Sequence, residues 1–595
     1  MTNSAIKTVL VILVYCALPS QGSAQTAGQE ASEPIPQALA SKYHFDLTRY
    51  FFANPETEKR EREKVYATIA ELERLKDRTT TSAANLARAL ELQGRVQSLV
   101  YRHTIYFSLR YATNIRDDVS RDEQTRFAAE VNKRLSFLSA ELGRLDARTF
   151  ERFLRERPSL KHHDFAIEDY RRQRSHALAL PEAEILATLN PSVQGWQGEF
   201  YNRVANPKAD WASLEEHLAF VLIRLVKARN AIAKLRHHPD GPAEAYFNQY
   251  LSTEEVKDLL DQLSRRAELH KHYEQVRVDY LKKVTGRDTI RFYADFRGAI
   301  PGFTPRLSIV EATEAIKNSV APLGPEYQQE VASLLDPAQG RMDIVPGPGR
   351  APGGFTSGFP GSVKSVFYTA GYRGNFSDVV VLAHEAAHAA QFEMMAANNV
   401  SPPYVTGSDF LKESYSYFNE LLLVDYFYGR ETDPKRRAFY LDQFFERAFQ
   451  IFSQAWAAAF EQALYDDVAD GKIVGAEDLN ALMIRVGARY STWFDLDPDA
   501  KRDWIAIPHY FRNPLYRVNY LYARLLALKY YELYKRDPAG FVPHYLALLR
   551  NGYDAPPDVL LKRFLSLDMR SSRFVDDVLD ILSSKMPELE RVYNP

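Results

Sequence analysis

Residues 379–392 read Val-Val-Val-Leu-Ala-His-Glu-Ala-Ala-His-Ala-Ala-Gln-Phe, an apolar run without proline or glycine. This composition predicts a buried helix. The four-residue spacing of His384 and His388 places both imidazoles on one helix face, one turn apart, where they can bind the same metal ion. Glu385 lies about 100° further round the helix, beside the metal rather than on it. That is the position of a general base that takes a proton from metal-bound water. The alternative is that the two histidines are core residues that match a short pattern.

A third ligand is expected further along the chain, because a catalytic zinc site takes three protein ligands and leaves one position for water. Residues 408–423 predict a second helix, with Ser408 or Asp409 as its N-cap. Its acids Glu413 and Glu420 stand seven residues apart and share a face. A carboxylate on an otherwise apolar helix needs a partner, and a cation is one. The alternative is that both acids are solvated surface groups.

These two segments resemble the thimet oligopeptidase and oligoendopeptidase F family of zinc metallopeptidases, most closely its oligoendopeptidase F branch. In that family a Glu-x-x-Ser-x-x-x-Glu motif follows the His-Glu-x-x-His helix. Here Glu413, Ser416 and Glu420 fall in that register, and Phe-Asn-Glu-Leu-Leu at 418–422 matches the family nearly letter for letter. The resemblance implies one zinc ion (Zn2+) per chain with three protein ligands, His384, His388 and Glu413.

Two further acids have counterparts in the family. The resemblance implies that Glu420 orients a metal ligand from behind. Asp378, six residues before His384, is expected to be an acid at the N-terminus of the zinc helix. One departure is Ala387, where the family usually has glycine; alanine favours the helix, so the change is small.

A glycine-rich segment upstream resembles the family's substrate strand. Gly-Arg-Ala-Pro-Gly-Gly-Phe at 349–355 matches Gly-Lys-x-x-Gly-Ala-Tyr/Phe, an edge strand along which the substrate's main chain lies. Glycines let a second backbone approach, and an edge strand offers unpaired N–H and C=O groups. The resemblance therefore implies that substrate is bound by Gly353, Gly354 and Phe355. A surface loop is the alternative. Residues 363–368 predict a short neighbouring strand.

An aromatic segment near the C-terminus resembles another family motif. Residues 507–520 are similar to Pro-His-Phe-Tyr…Pro-Phe-Tyr-x-x-Gln-Tyr. Peptide hydrolysis needs a hydrogen-bond donor for the oxyanion, and a histidine N–H or tyrosine hydroxyl can supply it. The resemblance assigns this task to His509 and Tyr520, with Tyr516 as a substrate contact. The family's following Ala-Thr-Gly is replaced by Leu-Tyr-Ala, so Tyr522 is an alternative to Tyr520.

The N-terminus has the pattern of a secretory signal. A basic Lys7 precedes an apolar run at residues 8–18, which is too short to span a bilayer, and small residues follow at 22–24. Residues 1–24 are therefore predicted to be a signal peptide, and the protein to be exported, periplasmic or secreted. The only cysteine, Cys16, lies within that segment, so no disulfide or thiolate ligand is expected in the mature chain.

Composition restricts the partners. The chain has 75 basic and 77 acidic residues and a formal net charge of −2, so no basic surface for nucleic acid is expected. Beyond the signal no hydrophobic run of membrane length occurs, so the mature chain is expected to have no membrane span. Short peptides are the partners that the resemblance implies.

The rest of the chain predicts a mainly α protein. Helical periodicity occupies residues 56–77, 82–113, 122–145 and 212–235, and a long helix is expected from Thr253 past Tyr280. Strand-like alternation is confined to about residues 340–370. Six further histidines lie in polar contexts and are expected at the surface: His162, His163, His237, His238, His270 and His272.

We expect a disordered leader at 25–40, an N-terminal helical region at 41–300 and a catalytic metallopeptidase region at 301–595. The resemblance implies two packed helical lobes that enclose a deep substrate channel, with one small sheet beside the zinc helix. The expected activity is a zinc endopeptidase for short, unstructured peptides. The alternatives are a peptidyl-dipeptidase that trims chain ends and a catalytically weak peptide-binding protein on the same scaffold.

Overall fold

The structure of this chain, a computed structural model, describes residues 33–194, 196–205, 210–296 and 303–593. The predicted signal peptide, residues 1–24, and the first part of the predicted leader, residues 25–32, lie outside the described residues. At the end of that leader Gln37–Ala40 form one turn of helix, and the main-chain oxygen of Pro34 accepts a hydrogen bond from the N–H of Ile309.

The prediction of a mainly α protein with one small sheet is confirmed. The α-helices of the described residues are, in chain order, α1 (Gln37–Ala40), α2 (Leu47–Tyr50), α3 (Pro55–Glu73), α4 (Ala83–Thr113), α5 (Asp118–Arg144), α6 (Ala147–Glu156), α7 (Asp164–Gln173), α8 (Leu180–Gln194), α9 (Trp196–Val204), α10 (Trp211–Leu235), α11 (Gly241–Phe247), α12 (Thr253–Arg265), α13 (Glu268–Thr285), α14 (Ile309–Val320), α15 (Pro325–Leu335), α16 (Phe376–Ala397), α17 (Asp409–Arg430), α18 (Pro434–Ala469), α19 (Ala476–Gly487), α20 (Trp493–Leu496), α21 (His509–Arg512), α22 (Arg517–Arg536), α23 (Pro538–Asn551), α24 (Pro557–Leu565) and α25 (Phe574–Tyr593). Short 3₁₀ helices lie at Pro158–His163, Arg174–His176, Ala321–Leu323, Pro337–Gln339, Pro402–Tyr404 and Pro498–Ala506.

The sheet has three strands, β1 (Met342–Asp343), β2 (Gly354–Phe359) and β3 (Val363–Thr369). Their order is β1-β3-β2, with β1 parallel and β2 antiparallel to β3. β2 therefore lies at an edge of the sheet. Of the glycine-rich segment at 349–355, Gly354 and Phe355 begin this strand, whereas residues 349–353 precede it. Gly353, which leads into β2, has a φ of 93°, a left-handed conformation that glycine adopts without steric cost.

The chain divides into two compact units, each built from three stretches. The first comprises Met1–Leu180, Pro305–Gly407 and Ala539–Ser566; the second comprises Pro181–Thr304, Ser408–Pro538 and Leu567–Pro595. In the first unit α16 packs on α15 and on β2 and β3. In the second unit α17 packs on α22 and α18. Among the described residues, no helix combines the length and apolar composition that crossing a membrane requires.

One predicted helix is broken in two. Instead of one helix from Thr253 past Tyr280, α12 ends at Arg265 and α13 begins at Glu268. The N–H of Arg266 bonds to the carbonyl of Leu263, an i→i−3 bond that tightens the last turn and ends the helix. Without proline or glycine here, the sequence carries no signal for this break. The N-terminus of α12 is as predicted, because Ser252 and Glu255 form a capping box.

Two of the histidines expected at the surface are buried, so that prediction is wrong for His238 and His270. The His270 ring stacks on Phe452 with centroids 4.9 Å apart, and its Nδ1 lies 2.9 Å from the carbonyl oxygen of Tyr490. A charged sequence neighbourhood does not show which side of a helix such a ring faces.

Candidate active site

Asp378 lies in the first turn of helix α16, at the N-terminal position that the sequence analysis predicted for it. The carboxylate of Asp378 accepts hydrogen bonds from the main-chain N–H groups of Arg373, at 2.7 Å, and Asn375, at 3.3 Å. It thereby satisfies donors at the start of the helix, where a negative charge is also favoured by the helix dipole. Asp378 thus sets where α16 starts, and with it the position of the histidines that follow.

The two histidines of α16 lie side by side as predicted. The ring centroids of His384 and His388 are 5.1 Å apart. His384, Glu385 and His388 are 4%, 3% and 7% exposed, so all three polar side chains are buried. Buried polar groups are costly unless they are partnered, and one shared metal ion would partner both imidazoles.

The sheet holds α16 at two places. The hydroxyl of Thr356 on β2 donates a 3.1 Å hydrogen bond to the main-chain oxygen of Glu385. Further along the helix, the carboxylate of Glu393 accepts hydrogen bonds from Arg341 at 3.0 Å, from Lys364 at 2.5 Å, and from the N–H and hydroxyl of Ser365 at 2.9 and 2.8 Å.

Glu393 was missed by the sequence analysis. Burial raises the pKa of its carboxyl, but Arg341, Lys364 and Ser365 together hold that pKa below its usual value. The carboxylate therefore stays charged and keeps α16 fixed against β3. The signal that could have found it is the one used for Glu413: an acid on an otherwise apolar helix needs a partner.

Helix α17 carries the predicted carboxylates, and both are buried. Glu413 is 1% and Glu420 8% exposed, so the alternative of solvated surface acids is wrong. A carboxylate oxygen of Glu420 lies 3.6 Å from Nε of Arg447 on α18. Ser408 occupies the N-cap position, but its hydroxyl does not cap the helix. Instead, the side-chain oxygen of Gln249 accepts a hydrogen bond from that hydroxyl, at 3.1 Å.

The aromatic segment brings its three predicted residues together. The hydroxyl of Tyr520 on α22 lies 3.4 Å from Nε2 of His509 on α21. The ring of Tyr516 stands 5.1 Å from that of Tyr520 and 6.2 Å from that of His509, centroid to centroid. Tyr522 instead packs against Phe410 at 5.3 Å. Of the two alternatives, Tyr520 is therefore the tyrosine beside His509.

Burial sets the protonation of this cluster. It lowers the pKa of His509 to about 3, with a further contribution from the guanidinium groups of Arg517 and Arg512. Burial also raises the pKa of Tyr516 well above its usual value. At neutral pH the imidazole of His509 is therefore neutral and carries one N–H, and the phenol of Tyr516 keeps its proton. Both side chains are thus hydrogen-bond donors.

Proteins named as oligopeptidases are similar to this chain over most of its length. It is 23% identical over 588 residues to oligopeptidase PepF of Bacillus subtilis, covering 91% of this chain and 86% of that protein. It is 22% identical over 563 residues to the oligoendopeptidase F homolog of Lactococcus lactis, covering 86% and 90%. The crystal structure of oligoendopeptidase-F from Enterococcus faecium superposes with a TM-score of 0.64 at 17% identity, over 90% of this chain and 98% of that chain, and shows the same fold.

Family comparison agrees with these matches. Residues 141–205 match the family described as Oligopeptidase F. Residues 208–579, more than half of the chain, match Peptidase family M3. The chain therefore belongs to peptidase family M3, and the resemblance seen in the sequence is confirmed.

Proposed function

We propose that this protein is a zinc-dependent endopeptidase that hydrolyses short, unstructured peptides. Membership of a peptidase family supports hydrolysis of peptide bonds. The observation that carries the metal is the pair of imidazoles on α16: His384 and His388 are both buried, and their ring centroids are 5.1 Å apart. The family resemblance adds the buried carboxylate of Glu413 as the third ligand. Two imidazoles and one carboxylate suit zinc and leave a position for water.

Glu385 is assigned as the general base that activates the attacking water. His384, His388 and Glu413 would hold the zinc ion, which would supply a bound water of lowered pKa and polarise the substrate carbonyl. Glu385, next to His384 in the sequence and buried with it, takes the proton from that water and passes it to the leaving amine. A protein that only binds peptides needs no base at this position, so an intact Glu385 favours the enzyme over the binding alternative.

Stabilisation of the oxyanion is assigned to His509 and Tyr520. The imidazole of His509 is neutral at physiological pH and carries one N–H, and the hydroxyl of Tyr520 lies 3.4 Å from its Nε2, so that both can serve one oxygen. In comparable enzymes one such donor contributes roughly 10²–10³ in rate. Tyr516, whose buried hydroxyl has no hydrogen-bond partner among the described residues, is assigned to substrate binding.

The substrate's main chain is assigned to β2. An edge strand presents unpaired N–H and C=O groups, with which an extended peptide can pair. Gly353 directly precedes the strand, Gly354 and Phe355 are its first residues, and all three are assigned to substrate binding. Export to the periplasm or beyond, which the N-terminal sequence predicts, would supply peptides as substrates rather than cytosolic proteins.

The test is a product analysis. The purified protein is assayed for zinc content and incubated with a mixed peptide pool, with and without a chelator, and the products are identified by mass spectrometry. We expect about one zinc per chain and chelator-sensitive cuts within the peptides. Release of dipeptides from chain ends would instead support the peptidyl-dipeptidase. Zinc binding without hydrolysis would support the binding protein.

A further inference from the structure

The segment that carries His509, Tyr516 and Tyr520 contains a strained residue. Leu515, in the turn between α21 and α22, has a φ of 66°, in the left-handed region. For a residue other than glycine this conformation costs about 1–2 kcal/mol. Such strain persists only where the surroundings hold it, and it concentrates at functional sites. Something must therefore keep Leu515 in place.

Helix α18 holds this segment at two points. The hydroxyl of Tyr510 donates a 2.9 Å hydrogen bond to the main-chain oxygen of Ala457. The N–H of Leu515 donates a hydrogen bond to the Oε1 atom of Glu461. Ala457 and Glu461 are four residues apart and so lie one above the other on the same face of α18. The two bonds therefore fix both ends of the turn to one rigid helix.

Glu461 is an unusual residue for this position. It is 2% exposed, and its second oxygen, Oε2, has no hydrogen-bond partner among the described residues. Burial raises the pKa of its carboxyl to about 8, although the Leu515 N–H and the guanidinium groups of Arg517 and Arg229 lower it. A buried carboxyl with one hydrogen bond costs stability that an apolar side chain would not. This loss of stability has a reason if the hydrogen bond from the Leu515 N–H to Glu461 is needed for activity.

We propose that Glu461 is a positioning residue, which holds the N–H of Leu515 and thereby sets Tyr516 and Tyr520 beside His509. The inference rests on the proposed function, in which His509 and Tyr520 donate to the oxyanion. Leu515 directly precedes Tyr516, and α22 begins one residue later. A rotation of the Leu515 backbone therefore moves the start of the helix that carries Tyr520. A displacement of about 1 Å in such a group can cost roughly 10²-fold in rate.

The test compares three variants with a matched control. Glu461→Leu removes the acceptor, and we expect kcat to fall roughly 10–100-fold while KM and zinc content stay near the wild-type values. Glu461→Gln keeps a side-chain oxygen for the Leu515 N–H, and we expect it to restore most of the kcat. The third variant carries an ester bond between Pro514 and Leu515, which removes only the N–H, and it should reproduce the loss.

The control is Glu274 on α13, in the same unit. It is 1% exposed, and it accepts hydrogen bonds from the N–H of Thr492 at 2.8 Å and from the hydroxyl of Ser491 at 2.6 Å. It is thus also a buried carboxyl that holds a main-chain N–H, but it does not contact the turn at Leu515. Glu274→Leu should lower the free energy of unfolding and leave the kcat of the folded enzyme unchanged.

A second readout does not depend on activity. The ring ¹⁵N resonances of His509 report the contact with Tyr520. We expect them to shift in Glu461→Leu and in the ester variant, and to stay in place in Glu461→Gln and Glu274→Leu. Unshifted resonances in a folded Glu461→Leu protein would overturn the inference, as would a wild-type kcat.

Failure of the inference and failure of the proposed function give different results. If Glu461→Leu is fully active while Glu385→Gln is inactive, the positioning role is refuted and the peptidase mechanism stands. If the wild type hydrolyses nothing, the proposed function fails, and the His509 resonances alone decide whether Glu461 positions the turn. If Glu461→Leu does not fold, the ester variant and Glu461→Gln decide it.

Discussion

The hydroxyl of Thr356 donates a 3.1 Å hydrogen bond to the main-chain oxygen of Glu385. Thr356 belongs to β2, the edge strand that we propose to bind substrate, and Glu385 is the proposed general base on α16. One side-chain bond thus links the strand that we propose to align the peptide to the residue that we propose to transfer the proton. Relative movement of the two would separate the attacking water from the bond to be cut.

Replacing Thr356 by valine, which keeps the shape but removes the hydroxyl, tests this link. The lost hydrogen bond should lower the free energy of unfolding by about 0.5–1.5 kcal/mol. We also expect a lower kcat, because strand and base are no longer held together. Thr356→Ser, which retains the hydroxyl, is the control. Steady-state kinetics with urea unfolding measures both effects, and equal kcat values for the two variants would contradict the link.

Replacing Glu385 by glutamine should abolish turnover while zinc remains bound. The base is lost, but the three proposed ligands, His384, His388 and Glu413, are intact. Metal analysis beside a peptidase assay tests this. Turnover close to that of the wild type would rule out Glu385 as the base, whatever the metal content.

Glu413 and Glu420 should have different roles at the metal site, Glu413 as a ligand and Glu420 as a residue that orients a ligand. We expect a carboxylate oxygen of Glu413 within about 2.0–2.2 Å of the metal. Glu413→Gln should therefore lose zinc. Glu420 lies 3.6 Å from Arg447 and should act from behind the ligands, so Glu420→Gln should cost about 10–100-fold in zinc affinity or activity. A crystal structure of the zinc form decides the assignment: Glu420 bound to the metal would reverse it.

Much of the site follows from the sequence because its signals are local. The apolar run that predicts α16 is buried on nearly every side, and helical spacing alone brings His384 and His388 together. The burial of Glu413 follows from its apolar helical neighbours. The glycines before Phe355 and the alternation near residue 365 are likewise sufficient to predict the strands β2 and β3.

What could not be predicted depends on contacts between distant parts of the chain. Leucine normally avoids positive φ, so nothing in the sequence around Leu515 predicts its left-handed backbone. The acceptor that holds it, Glu461, lies 54 residues earlier and resembles any acid of a long amphipathic helix. Similarly, the choice between Tyr520 and Tyr522 depends on the rotation of α22, which its packing against α17 determines.

The raised pKa of Glu461 should make the free energy of unfolding depend on pH. Its pKa is about 8 in the folded protein, raised from an ordinary value of 4.5. Above pH 4.5 the unfolded chain releases this proton while the folded protein keeps it, so this group's contribution to stability falls as the pH rises from about 4.5 to 8.

Glu461→Gln cannot titrate and should lack this slope. Relative to the wild type it should gain up to about 5 kcal/mol in the free energy of unfolding between pH 4.5 and pH 8. Urea unfolding of both proteins at several pH values measures the difference. Parallel curves would show that Glu461 titrates normally.

The enzyme should cut short, unstructured peptides and spare folded proteins. The polar side chains of α16 to which we assign catalysis are deeply buried, none of the three more than 7% exposed, so we expect only an extended strand to reach them. Such a strand can pair with β2, whereas a folded substrate must first open locally, and its opening free energy reduces the rate. Incubation with casein, a stable globular protein and peptides of increasing length tests this. Cleavage of the globular protein at the rate of the short peptides would contradict an enclosed site, even with zinc and Glu385 in their assigned roles.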